Sequence, residues 1–390
     1  MRIYVVTLSD QLLANLIPIL MDPPDRVVAL ISRTMRGKGK DRIFAYALQT
    51  RGIEFEARFD APDADFGAIK AFSWNIAETL EAQYPDAEIV LNATGGNKLM
   101  TLGLVEAFQH VAPRIEYTDT AHRTIEVLHP EPSLYPMRQV LDVPTYLAAQ
   151  GFRYLRSGSD DEEWRQRADQ RKAAAKFLGR HTPELGLFFF VLNGMVNEAI
   201  QKKGDSRQEE LVNPTQRFHE DKPPYGIWQK ALQELEKAKI IAWNAENPLE
   251  VRFLGLEEAR FVRGGWLEEY AWHILRDERL ADVRRGIQGT WKWEGNSENE
   301  FDVLAVHENV MLYVECKTGL LQDYAELSYK TESLSRAING PFGESWTLWA
   351  REPGEELHKR AQHHHFQVVG PQEIPHLRQK VQQWRDQRKA

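Results

Sequence analysis

Residues 298–319 read ENEFDVLAVHENVMLYVECKTG. Two apolar runs stand in this stretch, at 301–306 and 310–316, and both are rich in Val, Leu, Phe and Tyr, as β-strands are. Three polar residues, 307–309, break the apolar pattern, and the Asn among them tolerates the positive φ that a tight turn requires. The stretch therefore predicts a β-hairpin.

The polar residues of this hairpin are expected on one face. Side chains alternate along a strand, so Glu315 and Lys317 point the same way and Cys316 points the other way. If the turn consists of residues 308–309 alone, the strand pairing places Asp302 opposite Glu315. A three-residue turn would break that register, so the facing of the two carboxylates depends on the turn.

Two carboxylates and an ammonium group on an otherwise apolar hairpin are costly to remove from water. They fit together around a divalent cation, because carboxylates are hard oxygen ligands suited to Mg²⁺ or Mn²⁺. A lysine beside them can orient or deprotonate a water, or stabilise charge on a phosphate. The alternative is a surface salt bridge on an ordinary hairpin, and the spacing alone leaves that alternative open.

The composition indicates a folded protein of more than one domain. At 390 residues the chain is long for a single core, and its net charge of −8 argues against a constitutively basic nucleic-acid binder. The single cysteine, Cys316, excludes an intramolecular disulfide and a cysteine-based zinc site, which fits a reducing cytoplasm. The N-terminus lacks a signal-peptide layout, and the longest apolar run, residues 185–192, is too short to span a membrane. We therefore expect a cytoplasmic protein without a membrane segment.

Strands and helices alternate over residues 1–130. Apolar or alternating runs predict the strands, and apolar residues three and four apart predict the helices between them. Short links of this kind imply an α/β domain with a mostly parallel, Rossmann-like sheet. The predicted strands are 2–8, 26–32, 53–59, 88–92, 115–118 and 124–128, and the predicted helices are 11–21, 40–50, 66–84 and 99–111.

Three loops after these strands carry polar chemistry, and ligands of parallel sheets bind at that edge. In the third loop, TGGNK, two glycines let backbone N–H groups approach a ligand, and the helix that follows favours an anion at its N-terminus. This suits a phosphate or a nucleotide, although the loop is neither a Walker A loop nor GxGxxG, and a glycine-rich turn without a ligand is the alternative. The loops are Ser9-Asp10-Gln11, Ser32-Arg33-Thr34 with Arg36, Lys38 and Lys40 beyond it, and Thr94-Gly95-Gly96-Asn97-Lys98.

Residues 141–255 are predicted to connect two larger domains, 1–140 and 256–390. Within this region, residues 157–163 are polar and acidic and are expected to form a mobile loop. The next segment, 165–180, carries many Arg and Lys residues and is expected to present a solvated helical face.

The rest of the connecting region is predicted to be helical with one hairpin. A buried helix is expected to end at Gly204, and an amphipathic helix is expected over 227–239, followed by a hairpin over 240–254. Helices followed by a hairpin resemble a winged helix, a motif that often binds DNA. The balanced charges of the second helix favour a packing role instead.

A helix with two adjacent acids precedes the opening hairpin; it begins after Gly264-Gly265 and reads WLEEYAWHILRDERL. Glu268 shares a face with Trp272, so it is expected to lean towards the sheet, whereas Glu269 lies one residue round and is expected in solvent. The elements predicted beyond the hairpin imply a central sheet flanked by helices. They are a helix at 322–339, a strand at 346–350, a helix at 355–364 and a strand at 366–369.

The order of these residues resembles a PD-(D/E)XK nuclease domain, with the helix acid Glu268, then Asp302 on one strand and Glu315-Cys316-Lys317 on the next. The Asp lacks a preceding proline, a departure that is common in the superfamily. Together with the N-terminal sheet and the TGGNK loop, the chain resembles CRISPR-associated nucleases that join an N-terminal Rossmann-like sensor (CARF) domain to a C-terminal restriction-endonuclease-like domain. The resemblance covers both ends of the chain and is weakest over residues 140–255.

The resemblance implies that a cyclic oligoadenylate, above all cyclic tetraadenylate, activates the protein in type III CRISPR defence. It would bind across a homodimer of sensor domains, because a cyclic, symmetric ligand matches a two-fold site. The substrate would be DNA or RNA, cut with low sequence specificity. Carried over by position, the ligand contacts fall on Ser9, Asp10, Gln11, Thr94, Gly95, Gly96, Asn97 and Lys98.

The resemblance also implies metal-assisted hydrolysis of phosphodiester bonds by Glu268, Asp302, Glu315 and Lys317. Asp302, Glu315 and the backbone carbonyl of Cys316 would hold Mg²⁺ or Mn²⁺, and Glu268 would reach the ion directly or through water. Lys317 would position or activate the attacking water.

Two other functions are alternatives. A ligand-sensing transcription regulator would combine the same sensor domain with a winged helix in residues 141–255, but it has no use for the acid–acid–lysine set. A nucleotide-metabolising Rossmann enzyme is the weaker alternative, because no ribose-binding acid stands at the usual distance from a glycine fingerprint.

Overall fold

The computed structural model describes residues 1–202, 208–218, 223–291, 298–319, 342–364 and 366–388. The predicted helix at 322–339 lies outside the described residues. The chain divides into two compact units. The first comprises Met1–Tyr154, Gly289–Glu298 and Glu308–Val310, and the second comprises Leu155–Gln288, Asn299–His307 and Met311–Ala390.

The first unit contains a seven-stranded sheet in the order β3-β2-β1-β4-β5-β6-β7. Neighbouring strands from β3 to β5 run parallel, and β6 and β7 add an antiparallel edge. The predicted α/β class with a mostly parallel sheet is confirmed. The strands are β1 Arg2–Thr7, β2 Arg26–Ile31, β3 Glu54–Phe59, β4 Glu88–Asn92, β5 Arg114–Asp119, β6 Thr124–His129 and β7 Ser133–Pro136.

Six helices connect or cover these strands. The central strands β1 and β2 are buried almost throughout, as expected for a sheet with helices on both faces. Side chains cap several helices: the Asp65 carboxylate accepts from the first turn of α4, and the Asn97 amide oxygen does the same for α5. The helices are α1 Leu12–Met21, α2 Arg33–Gly37, α3 Lys40–Gln49, α4 Phe66–Gln83, α5 Lys98–Phe108 and α6 Val143–Ala149.

The second unit is built around a six-stranded sheet in the order β18-β17-β16-β15-β14-β8, in which β16, β17 and β18 run parallel. A two-stranded pair, β9 and β10, and a three-stranded sheet, β11-β13-β12, stand apart from it. The strands are β8 Phe152–Ser157, β9 Ile200–Lys202, β10 Glu209–Leu211, β11 Thr215–Arg217, β12 Ile241–Asn244, β13 Asn247–Phe253, β14 Asp282–Trp291, β15 Glu298–His307, β16 Val310–Lys317, β17 Gly343–Trp349 and β18 Phe366–Val369.

The helices of the second unit bury aromatic side chains. Trp164 of α7 and Trp272 of α11 meet edge to face, with ring centroids 5.1 Å apart. The helices are α7 Glu162–Arg180, α8 Thr182–Ala199, α9 Ile227–Lys237, α10 Leu256–Arg260, α11 Trp266–Asp277, α12 Glu355–His364 and α13 Leu377–Asp386. No helix of the described residues is long and apolar enough to cross a membrane.

Several predictions for residues 141–204 were wrong. The predicted mobile loop at 157–163 is a short 3₁₀ helix whose Ser157 and Asp160 form a capping box, after which α7 begins. The helix predicted to reach Gly204 ends at Ala199, because a strand follows it. The Arg and Lys residues of α7 are half-buried or exposed, as a solvated face requires, except for Arg171, which is buried.

The hairpin turn between β15 and β16 is the predicted pair of residues. Glu308 and Asn309 have φ of 52° and 61°, as a two-residue turn of this kind requires. Asn309 is only 1% exposed; its Oδ1 accepts from the N–H groups of Val140 at 2.9 Å and Leu141 at 3.1 Å, and its Nδ2 donates to the Arg138 carbonyl at 2.8 Å. All these groups belong to the first unit, so buried hydrogen bonds fix the turn there.

The stability of the second unit is expected to fall in mild acid because of His273. This residue of α11 is buried, with Nε2 3.0 Å from the Ala168 carbonyl oxygen, and burial lowers the pKa of its imidazole to about 4. Between that value and the unfolded pKa of about 6.5, only the unfolded chain binds the proton, so stability decreases as the pH falls through this window, by up to about 3 kcal/mol.

Urea unfolding at several pH values between neutrality and the lower end of the window measures the effect. The variant His273→Gln keeps a donor for the Ala168 carbonyl but does not titrate, so its unfolding free energy is expected to depend less on pH. An unchanged pH dependence in this variant would contradict the assignment.

Candidate active site

The hairpin of the second unit brings Asp302, Glu315 and Lys317 together. Asp302 lies on β15 and accepts a hydrogen bond of 2.7 Å from the backbone N–H of Cys316 on β16. Lys317 Nζ donates to Glu315 Oε1 and lies 4.0 Å from Asp302 Oδ2. Both carboxylates therefore face one ammonium group, as the two-residue turn predicts.

The two carboxylates and the lysine perturb one another electrostatically. Burial, followed by the nearby carboxylates of Glu315 and Glu268, raises the pKa of Asp302 well above its ordinary value. Burial lowers the pKa of Lys317, but the charges of Glu315 and Asp302 outweigh it, so the pKa of this lysine is raised. In this arrangement the two carboxylates therefore favour the ammonium form of Lys317.

A tyrosine that sequence reasoning missed orients one of these acids. The hydroxyl of Tyr313, fully buried on β16, donates to Glu315 Oε2. Tyr313 stands two residues before Glu315 on the same strand, so the alternation of side chains contained the signal. Glu315 thus has one oxygen held by a neutral donor and the other by Lys317.

The helix acid Glu268 lies at the first turn of α11. Thr318, directly after β16, fixes the segment ahead of this helix, because its hydroxyl donates to the Arg263 carbonyl at 2.7 Å. Glu268 Oε2 pairs with Arg285 Nη2 at 2.7 Å. Burial raises the pKa of Glu268, and Arg285 opposes that effect.

The neighbouring acid, Glu269, was predicted to lie in solvent, and this prediction was wrong. Glu269 is 2% exposed, and its carboxylate receives both Nη2 and Nε of Arg171, at 2.7 and 3.3 Å. Helix α11 buries nearly every residue from Trp266 to Leu275, so no side of it is left to water. The partner lies 98 positions away in sequence, beyond the reach of any local pattern.

The donor set of the hairpin fits a hard divalent cation. Asp302 and Glu315 supply carboxylate oxygens, and Cys316, the residue after Glu315, supplies a backbone carbonyl. A cation would offset the repulsion that raises the pKa of Asp302. Among the described residues, however, no three or more His, Cys, Asp or Glu side chains are grouped to hold a metal ion. Glu268 instead pairs with Arg285.

The loops predicted to bind a ligand lie at one edge of the first unit's sheet. Strands β1 and β4 are parallel neighbours at the point where the strand order reverses, and such crevices bind ligands in open α/β sheets. Residues Ser9, Asp10 and Gln11 follow β1, and Thr94, Gly95, Gly96, Asn97 and Lys98 follow β4 after one residue. The structure thus places the two predicted loops side by side.

Part of each loop is already engaged within the protein. Asp10 pairs with Lys38 at 2.8 Å, and the hydrogen bond from this lysine lowers the pKa of the Asp10 carboxyl. Thr94 Oγ1 accepts from the Thr118 N–H at 2.7 Å, and Asn97 caps α5. Among the predicted contacts, the side chains of Gln11 and Lys98 are exposed, whereas Gly95 is buried and Gly96 is half-buried.

Family models match both ends of the chain. The model described as Card1 CARF domain matches residues 3–146, and the model described as Card1-like, endonuclease domain matches residues 256–388. The chain carries a Card1-type CARF domain and a Card1-like endonuclease domain. The predicted resemblance to CRISPR-associated nucleases with an N-terminal CARF domain is thereby confirmed.

Solved structures share the fold over most of the chain. Protein VC1899 from Vibrio cholerae is 21% identical with a TM-score of 0.81, covering 99% of this chain and 98% of its own. Can2 from Sulfobacillus thermosulfidooxidans, solved with cyclic tetra-adenylate, is 22% identical with a TM-score of 0.70, covering 97% and 99%. A type III CRISPR defence DNA nuclease activated by cyclic oligoadenylate is 15% identical with a TM-score of 0.53, covering 92% of this chain and 51% of its own. No curated protein sequence matches the chain.

Gly95 of the CARF domain is expected to tolerate no side chain. A Cβ atom at this position would lie 1.7 Å from the Thr7 carbonyl oxygen, which also accepts from Asn15 Nδ2 at 2.8 Å. Gly95→Ala must therefore displace backbone, and we expect a loss of about 3 kcal/mol of unfolding free energy together with weaker ligand binding. Thermal melting compares it with Gly37→Ala, since a Cβ at Gly37 meets no atom within 4 Å. Equal stability of the two variants would show that the loop is not as closely packed as described.

Proposed function

We propose that this chain is a metal-dependent nuclease of type III CRISPR defence that a cyclic oligoadenylate activates through the CARF domain. The observation that carries the proposal is the cluster of Asp302, Glu315 and Lys317 inside a matched endonuclease domain, on a chain that also has a CARF domain. The neighbouring structure of Can2 with cyclic tetra-adenylate supports that ring size as the first activator to test.

In the proposed mechanism, Asp302, Glu315 and the Cys316 carbonyl would hold Mg²⁺ or Mn²⁺. When bound, such an ion lowers the pKa of a coordinated water and offsets charge on the phosphoryl oxygens. Lys317, beside both acids, would position or activate the attacking water, or stabilise charge on a phosphate oxygen. The Tyr313 hydroxyl donates to Glu315 Oε2 and thereby restricts the orientation of that carboxylate.

A homodimer is part of the proposal because the activator is a symmetric ring. Helix α5 begins directly after the TGGNK loop and exposes two leucines, Leu99 at 44% and Leu102 at 59%. Apolar side chains that stay in contact with water beside a ligand loop suit a surface for a second copy. Two copies joined there would contribute both TGGNK loops to one site.

The experiment that tests the proposed function uses labelled single-stranded DNA, supercoiled DNA and RNA, each incubated with the full chain, Mn²⁺ and cyclic tetraadenylate. We expect cleavage of at least one substrate, none by the Asp302→Asn variant, and the mass of a dimer in sedimentation. Retarded migration of DNA without any cleavage would instead favour the transcription regulator. No cleavage and no retardation would contradict both functions.

A further inference from the structure

Arg285 is a half-buried cation of the candidate active site, and the proposed mechanism assigns it no role. It lies on β14, and its Nη2 is 2.7 Å from Glu268 Oε2. Its guanidinium carbon stands 5.1 Å from the centre of the Trp164 ring, within the range of a cation–π contact. The charges of Glu268, Glu269 and Asp302 hold the pKa of Arg285 above its ordinary value although burial opposes them.

The backbone fixes Arg285 as firmly as its side chain does. Ser157 Oγ donates to the Arg285 carbonyl at 2.8 Å, and the Arg285 N–H donates to Ser159 Oγ at 3.1 Å. The next residue, Gly286, has a φ of +63° and leaves the regular strand conformation. Arg285 is therefore a preorganised cation with little freedom to move, whereas the carboxylate it holds sits on the end of a flexible glutamate.

Glu268 pairs with the Arg285 guanidinium in the structure, and in the proposed mechanism it would also reach a metal ion. The family order of residues makes it the third acid of the nuclease site, yet the described residues contain no grouping of three acids for a metal ion. One of its oxygens, Oε2, instead pairs with Arg285 Nη2. A guanidinium and a divalent cation compete for the same negative charge, so Glu268 cannot give its full charge to both.

We infer that Arg285 is a positioning residue that holds Glu268 away from the metal in the resting nuclease, and that Glu268 completes the metal site only when this ion pair opens. The inference rests on the proposed function and deepens it, because it names a step that activation has to include. If the metal binds fully only to molecules in which this ion pair is open, the apparent affinity for the metal falls in proportion to the fraction of such molecules.

The test measures Mn²⁺ binding to the full chain without nucleic acid, by the loss of the electron paramagnetic resonance signal of free Mn²⁺. Arg285→Gln removes the competing charge, so we expect Mn²⁺ to bind about tenfold more tightly than to the unmodified protein. Arg284→Gln is the matched control, because this neighbour on β14 pairs with Asp160 and Asp282 instead. We expect its Mn²⁺ affinity to stay unchanged.

Measurements on the Glu268→Gln protein separate a positioning role of Arg285 from a general structural effect. In Glu268→Gln protein, the further change Arg285→Gln is expected to leave Mn²⁺ affinity where it was, because the competition has no carboxylate to act on. Arg285→Lys keeps the charge in a conservative form and is expected to stay close to the unmodified protein, which also covers the case in which the glutamine variant fails to fold.

The outcomes are distinct. Unchanged Mn²⁺ binding by a folded Arg285→Gln protein would overturn the inference. Weaker Mn²⁺ binding would overturn it too, because it would show that Arg285 holds Glu268 in the coordinating position. An Arg285→Lys protein that binds Mn²⁺ as tightly as expected for the glutamine variant would also overturn it. If the unmodified protein binds no Mn²⁺, or binds it equally well after Asp302→Asn, the metal-dependent function itself fails.

Discussion

Replacing Glu315 with glutamine is expected to reduce the cleavage rate by at least about a hundredfold, since even residues behind the metal ligands change metal affinity or activity by about 10–100-fold. The amide keeps the shape of the side chain but removes the charge that pairs with Lys317 and that would face the metal. Single-turnover cleavage of labelled nucleic acid, at saturating Mn²⁺ and cyclic tetraadenylate, measures the loss.

Glu298→Gln is the matched control for this change. Glu298 begins the same hairpin on β15 but is exposed, so its loss of charge is expected to leave the rate close to that of the unmodified protein. A Glu315→Gln protein that cleaves as fast as this control would remove Glu315 from the mechanism.

Breaking the buried pair between Arg171 and Glu269 is expected to destabilise the second unit by about 3–5 kcal/mol. Glu269→Ala leaves the Arg171 guanidinium buried without its carboxylate, although the contact with the Phe261 ring, centred 5.2 Å from the guanidinium carbon, is retained. Urea unfolding followed by tryptophan fluorescence measures the change, because Trp164 and Trp272 lie on the same two helices.

The surface pair of Glu257 and Arg260 on α10 supplies the comparison, because both side chains are exposed. Glu257→Ala is expected to cost at most about 1 kcal/mol. Replacing both Arg171 and Glu269 by apolar residues is expected to cost less than Glu269→Ala alone, since no charge is then left buried and unpaired. Equal losses of unfolding free energy in Glu257→Ala and Glu269→Ala would contradict the burial of the pair between Arg171 and Glu269.

Short-range patterns in the sequence predicted the strands of the first unit and the hairpin of the second. The strands of the first unit are short apolar runs, and the parallel links between them follow from the alternation with helices. The hairpin of the second unit was predicted with residues 307–309 as its polar break, but the sequence left a two-residue and a three-residue turn open. The positive φ of Glu308 and Asn309 identifies the two-residue turn. Asp302, Glu315 and Lys317 follow from that turn.

The parts that could not be predicted depend on distant partners. Strand β14 contains two arginines and two glycines in DVRRGIQGTW, which obscure the alternation of a strand. Arg285 pairs with Glu268, and Glu269 pairs with Arg171. The members of each pair approach each other only in the folded chain. The role of Asn309 was missed for the same reason, since its hydrogen-bond partners lie some 170 positions earlier.

If this chain couples its sensor domain to its nuclease domain, the cleavage rate must differ with and without cyclic tetraadenylate. A ligand activates only if it binds the active arrangement more tightly than the resting one, and a rise of about tenfold or more in the rate is expected at saturating activator. Linear tetraadenylate at the same concentration is the control and is expected to leave the rate low. Equal cleavage rates with the cyclic activator, with the linear control and with neither would contradict the account.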